Sequence, residues 1–478
     1  MHFLKNQSTA EKMTVEQIYT GCLAQGAYYI VSNGEAAIID PLREVSPYME
    51  RAQKDGVQIK YVFETHFHAD FVSGHLSLSE KTGAPIVYGP NANPKFDAII
   101  AKDGQVFQIG NITITALHTP GHTMESTTFL LKDESGTEQA IFTGDTLFLG
   151  DVGRPDLAQK AADMSREQLA EILYDSLRNK IMTLPKDLTV YPGHGAGSAC
   201  GKNMMKETVD TLENQLKVNY ALRADMTKSE FVEELLDGLA EPPAYFPLNV
   251  KMNKEGYKDF DQVLEKGLNA ISAENFESLV NSRDILMLDV RHQSTFMEGH
   301  IPNSIFIGLS GGFAPWVGAL VKDTEQEIIL IADAGQEEEA ITRLSRVGFD
   351  NVIGYLDGGF DAWKASGKDF EAIETMASSD VAALHADSAL KIFDVRKPGE
   401  FTASHVEGAV HTPLSTINEH LSKYGNEEKQ YVHCRGGYRS VIAISILKSR
   451  GIHNLVNITE GFDQMEKENF NFTKTCHN

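Results

Sequence analysis

The sequence predicts a multidomain α/β protein. A chain of 478 residues exceeds one ordinary hydrophobic core, which stops growing at about 250–300 residues. The C-terminal half repeats itself. Leu286-Met287-Leu288-Asp289-Val290-Arg291 is echoed by Lys391-Ile392-Phe393-Asp394-Val395-Arg396, and Tyr355-Leu356-Asp357-Gly358-Gly359-Phe360-Asp361 by Ile458-Thr459-Glu460-Gly461-Phe462-Asp463. In both copies short β-branched runs alternate with helical patterns, as in parallel-sheet units. The N-terminal half instead sets a histidine or aspartate after each of several apolar strands.

Taken in order, the opening segment MHFLKNQSTAEKMTVEQ lacks the apolar core of a signal peptide. Ala27–Val31, Ala36–Asp40 and Ile59–Phe63 read as strands, and Ile112–Leu117 alternates with period two. The Pro-rich stretch Ala240–Pro247 is expected to close the N-terminal domain, and helical residues Asp259–Asn269 to lead into the repeats. In the second repeat Tyr431-Val432-His433 ends a strand, and Ser440–Arg450 forms a helix stopped by Gly451.

Composition excludes some functions. A formal net charge of −24 argues against a nucleic-acid or anionic-membrane surface. No apolar run is long enough to span a bilayer. The cysteines, Cys22, Cys200, Cys434 and Cys476, are too scattered for a disulfide framework, so a reducing cytoplasm is expected. Cys22 and Cys476 have no supporting motif and read as structural or incidental.

Four segments place a metal-type ligand just after an apolar strand. They are Thr65-His66-Phe67-His68-Ala69-Asp70, Thr119-Pro120-Gly121-His122-Thr123, Thr143-Gly144-Asp145-Thr146 and Tyr191-Pro192-Gly193-His194-Gly195. Imidazole and carboxylate donors with open positions suit Zn²⁺ or non-haem Fe²⁺. Far downstream, Cys434-Arg435-Gly436-Gly437-Tyr438-Arg439 lies between a strand and a helix. Such a loop aims backbone N–H groups, the positive end of a helix and two arginines at one anion. That arrangement stabilises a thiolate or a persulfide, with Cys434, Arg435 and Arg439 as catalytic residues and Gly436, Gly437 and Tyr438 lining the substrate.

The four metal segments resemble the metallo-β-lactamase superfamily over roughly the first 250 residues. Its hydrolases follow the aspartate of the first motif with a histidine for a second metal, and here Phe71 stands there. The pattern is similar to that of the persulfide dioxygenases. That resemblance implies one Fe(II) per chain, held by His68, His122 and Asp145, with His66, Asp70 and His194 orienting the ligands. Gly150–Asp156 matches a family motif near the substrate, so Arg154 either binds substrate or pairs with Asp156. Where simpler persulfide dioxygenases carry a tyrosine two residues after the last histidine, this chain has Ala196. Cys200 then reads either as a sulfur relay near the metal or as a small buried hydrophobe.

The C-terminal half resembles the rhodanese sulfurtransferases from about residue 270 onward, across both repeats. Cysteine phosphatases place an arginine six positions after the cysteine, where this chain has Ser440, so the loop is sized for sulfur. The first repeat carries Ala332-Asp333-Ala334-Gly335-Gln336, with Asp333 or Ala334 expected at the cysteine position and Glu337, Glu338 and Glu339 behind it. It reads as an inactive spacer.

The expected architecture is therefore a metallo-β-lactamase αββα sandwich (1–265), an inactive rhodanese-like domain (266–372) and a catalytic one (373–478). By the resemblance, the chain oxidises a thiol persulfide with O₂ to sulfite and thiol, and Cys434 forms or uses thiosulfate. The metal-domain family also implies a homo-oligomer, dimer or tetramer. Two alternatives stand beside this: a zinc thioester hydrolase of the glyoxalase II kind, and a sulfur-relay or sensor protein with no oxidative step.

Overall fold

The computed structural model describes residues 13–159, 163–239, 241–388 and 390–474. Ala240 and Cys476 lie outside them. The chain divides into two compact units, Met1–Phe260 with Ser345–Gly348, and Asp261–Leu344 with Phe349–Asn478.

The first unit is built on two sheets. Strands β1 (Thr14–Thr20), β2 (Gln25–Ser32), β3 (Glu35–Ile39), β4 (Gln58–Phe63), β5 (Ile86–Tyr88) and β6 (Ile99–Ile100) lie side by side in chain order, antiparallel up to β3 and parallel thereafter. Strands β7 (Val106–Ile109), β8 (Ile112–His118), β9 (Thr127–Lys132), β10 (Glu138–Gly144), β11 (Thr189–Pro192) and β12 (Asp210–Thr211) form the other sheet, with β10 and β11 parallel. Tyr28, Ile30 and Phe63 of the first sheet pack with Ile114, Phe129 and Phe142 of the second. The opposite face of β2, through Ala27, Tyr29 and Val31, packs under Tyr48, Ala52 and Leu78. Both faces of β2 are thus covered, which is why all eight of its residues are buried and its sequence carries no polar alternation. Leu130 and Ile141 on the far side meet Leu173, Leu177 and Phe231. This is the expected αββα sandwich. Each large side chain buried in it contributes about 1.5–3 kcal/mol.

The Pro-rich stretch does not simply end the domain. Helix α1 (Phe246–Glu255) starts inside it, with a proline in its first turn. Proline costs little there, because the N–H it lacks would have no intrahelical partner.

The second unit contains two five-stranded parallel sheets. The first has β13 (Ala270–Ile271), β14 (Leu286–Asp289), β15 (Ile305–Phe306), β16 (Ile328–Ile331) and β17 (Val352–Leu356), in the order β13-β17-β16-β14-β15. The second has β18 (Glu374–Met376), β19 (Lys391–Asp394), β21 (Val410–His411), β22 (Gln430–His433) and β23 (Leu455–Ile458), in the order β18-β23-β22-β19-β21. A small ribbon joins β20 (Ser404–Val406) to β24 (Phe472–Lys474). The orders coincide strand for strand, so the sequence echo is a structural duplication. Helix α2 (Glu337–Ser345) follows β16, and α3 (Tyr438–Ser449) follows β22, two residues earlier than its sequence pattern suggests.

The Asp-Val-Arg echo is a staple. Arg291 Nη2 donates to Asp289 Oδ2 at 2.7 Å and to Gly299 O at 2.8 Å. Arg396 does the same to Asp394 Oδ2 at 2.6 Å and Ser404 O at 2.7 Å. Removing one partner from such a buried pair costs about 3–5 kcal/mol, because the other is left charged and alone. Among the described residues, no helix is long and apolar enough to cross a membrane.

Candidate metal centre and thiol loop

The four site segments of the first unit leave the C-terminal ends of β4, β8, β10 and β11, which brings them to one edge of the sandwich. Ligand atoms of His66, His122 and Asp145 converge there within 4.8 Å of one another. His122 Nδ1 is held by Arg154 O at 2.9 Å, and His66 Nδ1 by Thr65 Oγ1 at 3.0 Å. Each Nε2 then faces Asp145 Oδ2, at 3.5 Å from His122 and 3.9 Å from His66. Holding one ring nitrogen so that the other points inward is how metal-binding histidines are oriented.

The set differs from the expected one. His68 does not join His122 and Asp145; His66 does. The Nε2 of His68 turns to Asp40 Oδ1 at 3.1 Å and Glu64 Oε2 at 3.5 Å. Phe71 lies against its ring, with centroids 4.3 Å apart. His68 also groups with Asp70 and His194. Phe71, fully buried, packs beside that group, its ring 6.4 Å from that of His194.

The pocket calls for a cation. Both Asp145 oxygens are buried and lack a hydrogen-bond donor among the described residues. His194 Nε2 sits 3.4 Å from Asp70 Oδ2 and 3.6 Å from Asp145 Oδ1. Burial opposes protonation of His194, yet Asp70 and then Asp145 raise it to about 10. Burial, and then His68, His122 and His194, push His66 well below the usual imidazole range, which keeps it neutral as a ligand must be. His66, His122 and Asp145 together could hold a metal ion.

Two glycines make room for it. A Cβ on Gly153 would stand 2.0 Å from Asp145 O and 2.9 Å from His122 Nδ1, and one on Gly193 would stand 2.7 Å from Asp145 Oδ1. Gly153→Ala is therefore expected to lower metal content at least about tenfold, in the range found for groups that orient ligands. Metal analysis after gel filtration checks this, and full metal occupancy in a folded variant would contradict it.

Cys200, buried, groups with Asp145 and His194, so the structure brings it to the site. Burial pushes its thiol up, and Asp70 and Asp145 push it further. Arg154 makes the expected pair with Asp156. Its guanidinium donates to both Asp156 oxygens, at 2.8 and 2.6 Å, and its carbonyl holds His122. Two residues near the site had no signal in the sequence. Asn253 of α1 donates to His68 O and Phe71 O, each at 2.8 Å, and accepts from Ser73 N at 2.9 Å. Tyr245, buried just before α1, has its hydroxyl raised by burial and then by Asp70 and Cys200.

The thiol loop lies in the second unit. Cys434 follows β22 and faces the start of α3. Gly437 N–H donates to its Sγ at 3.1 Å, and Ser440 Oγ lies 3.6 Å from it. The two arginines are less free than the sequence implies. Arg439 pairs with both Glu400 oxygens, at 2.6 and 2.9 Å, while exposed Arg435 pairs with Asp463 at 3.0 Å. Burial opposes ionisation of Glu400, but Arg439 holds its carboxyl down at about 2. Gly436 is exposed, and the Tyr438 side chain turns away to Gly308.

Sheet pairing settles what stands at the cysteine position of the first repeat. Asp289 pairs with Ile331 as Asp394 pairs with His433. Counting on from these, Ala332 matches Cys434, so neither Asp333 nor Ala334 does. Gly335 and Gly437 then coincide, both with φ +87°. Asp333 replaces Arg435, and Glu337 replaces Arg439. Gly335 N–H, which would hold a sulfur, donates instead to Glu337 Oε2 at 2.8 Å.

Comparison with known proteins agrees with these folds. Residues 20–194 match the metallo-beta-lactamase superfamily, and residues 272–366 and 378–468 match the rhodanese-like domain. The human mitochondrial persulfide dioxygenase ETHE1 is 32% identical over 201 residues, 42% of this chain and 70% of that protein. The cytoplasmic hydroxyacylglutathione hydrolase of Arabidopsis thaliana is 33% identical over 178 residues, 36% of this chain and 65% of that protein. A crystal structure described as a metallo-beta-lactamase from Staphylococcus aureus subsp. aureus COL is 32% identical, with a TM-score of 0.65 over 72% of this chain and 98% of that one.

Proposed function

This chain belongs to the metallo-beta-lactamase superfamily and carries two rhodanese-like domains, and on that premise we propose that it oxidises a thiol persulfide in its first unit and carries sulfane sulfur on Cys434 in its second. In the first reaction the sulfur–sulfur bond of the persulfide breaks. The outer sulfur is oxidised to sulfite, dioxygen is reduced, one water supplies the third oxygen, the thiol is released and two protons leave. In the second, sulfite attacks the outer sulfur of a Cys434 persulfide, and thiosulfate and the Cys434 thiolate result; the reverse transfer feeds the first unit.

One observation carries the dioxygenase reading. Two histidine Nε2 atoms and one carboxylate face one point, and by the sequence resemblance Phe71 replaces the further histidine of the superfamily's hydrolases. A ferrous ion on such a face, when bound, supplies open positions where dioxygen and a sulfur anion meet. The residues around it orient and exclude. Arg154 O fixes the His122 ring, Asp70 Oδ2 lies 3.4 Å from His194 Nε2 beside the site, and Phe71 packs against the His68 ring. Cys200 is, among the described residues, the thiol grouped with the ligands, in a chain with Ala196 where the family tyrosine would be.

The test is oxygen consumption by iron-loaded protein given a low-molecular-weight thiol persulfide. Uptake with one iron per chain and sulfite as product is expected. Two bound zinc ions with hydrolysis of an S-acyl thiol would instead establish the thioester-hydrolase reading, which the identity to hydroxyacylglutathione hydrolases favours. Cys200→Ser is expected to keep its iron and to change the ratio of sulfite to thiosulfate. An unchanged ratio and rate would make Cys200 a packing residue.

A further inference from the structure

Within the second unit, the repeat that holds the reactive thiol leans on the repeat that lacks one. Gly437, whose N–H holds Cys434 Sγ at 3.1 Å, has φ +87° and ψ −7°. That left-handed conformation suits glycine, and a Cβ there would stand 2.7 Å from Thr459 O. The next residue, Tyr438, opens α3. Its hydroxyl donates to Gly308 O of the first repeat at 2.7 Å. Its ring meets Phe306 edge-on, with centroids 5.7 Å apart. A Cβ on Gly311 would stand 2.3 Å from the ring. Phe306, Gly308 and Gly311 therefore wall a socket that the tyrosine fills.

A second bond fixes the same helix face. Ser445 lies about two turns along α3 from Tyr438, and its Oγ accepts the N–H of Phe306 at 3.0 Å. Phe306 is on β15, the edge strand of the first sheet. An edge strand presents unpaired N–H groups, and Ser445 satisfies this one. The arrangement runs one way only, because Gln336 stands in the first repeat where the second has Tyr438.

We propose that the first repeat serves as a socket that fixes Tyr438, and through it the Gly437 N–H that holds the Cys434 sulfur. The inference rests on reading Cys434 as the sulfur carrier. Tyr438 and Gly311 are positioning residues, and neither touches the sulfur. Glycine resists rotation less than any other residue, so displacement of the tyrosine ring passes into the φ and ψ of Gly437 and swings its N–H off Sγ. A first repeat without a nucleophile thereby contributes to the reaction of the second.

The full chain is tested with thiosulfate as sulfur donor and cyanide as acceptor, and Cys434 alkylation by iodoacetamide is followed at fixed pH. Gly311→Ala is expected to lower sulfur-transfer kcat roughly tenfold, because a misplacement of about 1 Å costs on the order of 100-fold and the shift is spread over several bonds. It should also change the alkylation rate, while oxygen uptake by the iron-loaded protein is unaltered. In a Tyr438→Ala background the socket is empty, and adding Gly311→Ala should then change kcat less than about twofold, the coupling expected of two residues in contact. If Gly311→Ala does not fold, Tyr438→Phe, which removes only the bond to Gly308, should still lower kcat about threefold. Wild-type transfer in both single variants, or equal harm from Gly311→Ala with and without the tyrosine ring, overturns the socket. Retained transfer in Cys434→Ser would overturn the carrier reading instead, so the two failures are distinguishable.

Discussion

His66→Ala is expected to lose both its iron and its oxygen uptake, whereas His68→Ala should retain part of its iron. The two residues are neighbours in a His-x-His pair, and only their partners distinguish them. His66 points its Nε2 at Asp145, where the His122 Nε2 also points. His68 is turned to Asp40 and Glu64. Loss of a group that orients a ligand costs about 10–100-fold in metal affinity. Loss of one of three ligands should exceed that, so at micromolar iron His66→Ala should elute empty and His68→Ala partly loaded. Iron per chain by elemental analysis separates them. If His68→Ala elutes empty and His66→Ala keeps its iron, the trio His68, His122 and Asp145 is restored.

The contrast shows where the sequence stops being readable. In an extended segment, residues i and i+2 project to the same side, so His66 and His68 present the same local pattern. What sends them to different partners is Asp40, at the end of β3, whose carboxylate also accepts from Thr65 N and Thr65 Oγ1 at 2.8 Å. That choice is made by strand pairing between β3 and β4, which no local pattern records. Asn253 is hidden for a similar reason: it ties the loop at His68 and Phe71 from 182 residues or more away. The folds themselves were legible, because the strands covered on both faces read as apolar runs and the duplicated half repeats its Asp-Val-Arg staple. In the first repeat, sequence alignment alone misplaces the residue opposite Cys434. The loops differ in every side chain except a glycine, and only the pairing of Asp289 with Ile331 fixes Ala332 there. Arg435 and Arg439 stand out in the sequence, but the carboxylates that engage them do not.

Cys434→Ser should abolish sulfur transfer, by at least about 1,000-fold, well short of the roughly million-fold loss that can follow removal of a covalent nucleophile. Oxygen uptake with an added persulfide should survive, since the ligands of the first unit do not involve this residue. The serine hydroxyl would still meet Gly437 N–H, so the fold is expected to persist, and thermal unfolding checks that. A harder demand follows from the duplication. Ala332→Cys, introduced into Cys434→Ser, places a thiol at the matching point of a matching sheet. It should nevertheless remain inactive. Asp333 and Glu337 stand where Arg435 and Arg439 stand in the other repeat, and the N–H that would receive the sulfur already donates to Glu337 Oε2 at 2.8 Å. A thiolate there would have to displace a carboxylate and then sit beside it, and like charges at such distances disfavour ionisation. Alkylation of the introduced thiol at neutral pH should accordingly be slower than that of Cys434 in the parent chain. Transfer restored by Ala332→Cys would mean that the backbone loop alone activates the thiol, and that the arginines on Glu400 and Asp463 serve only the fold.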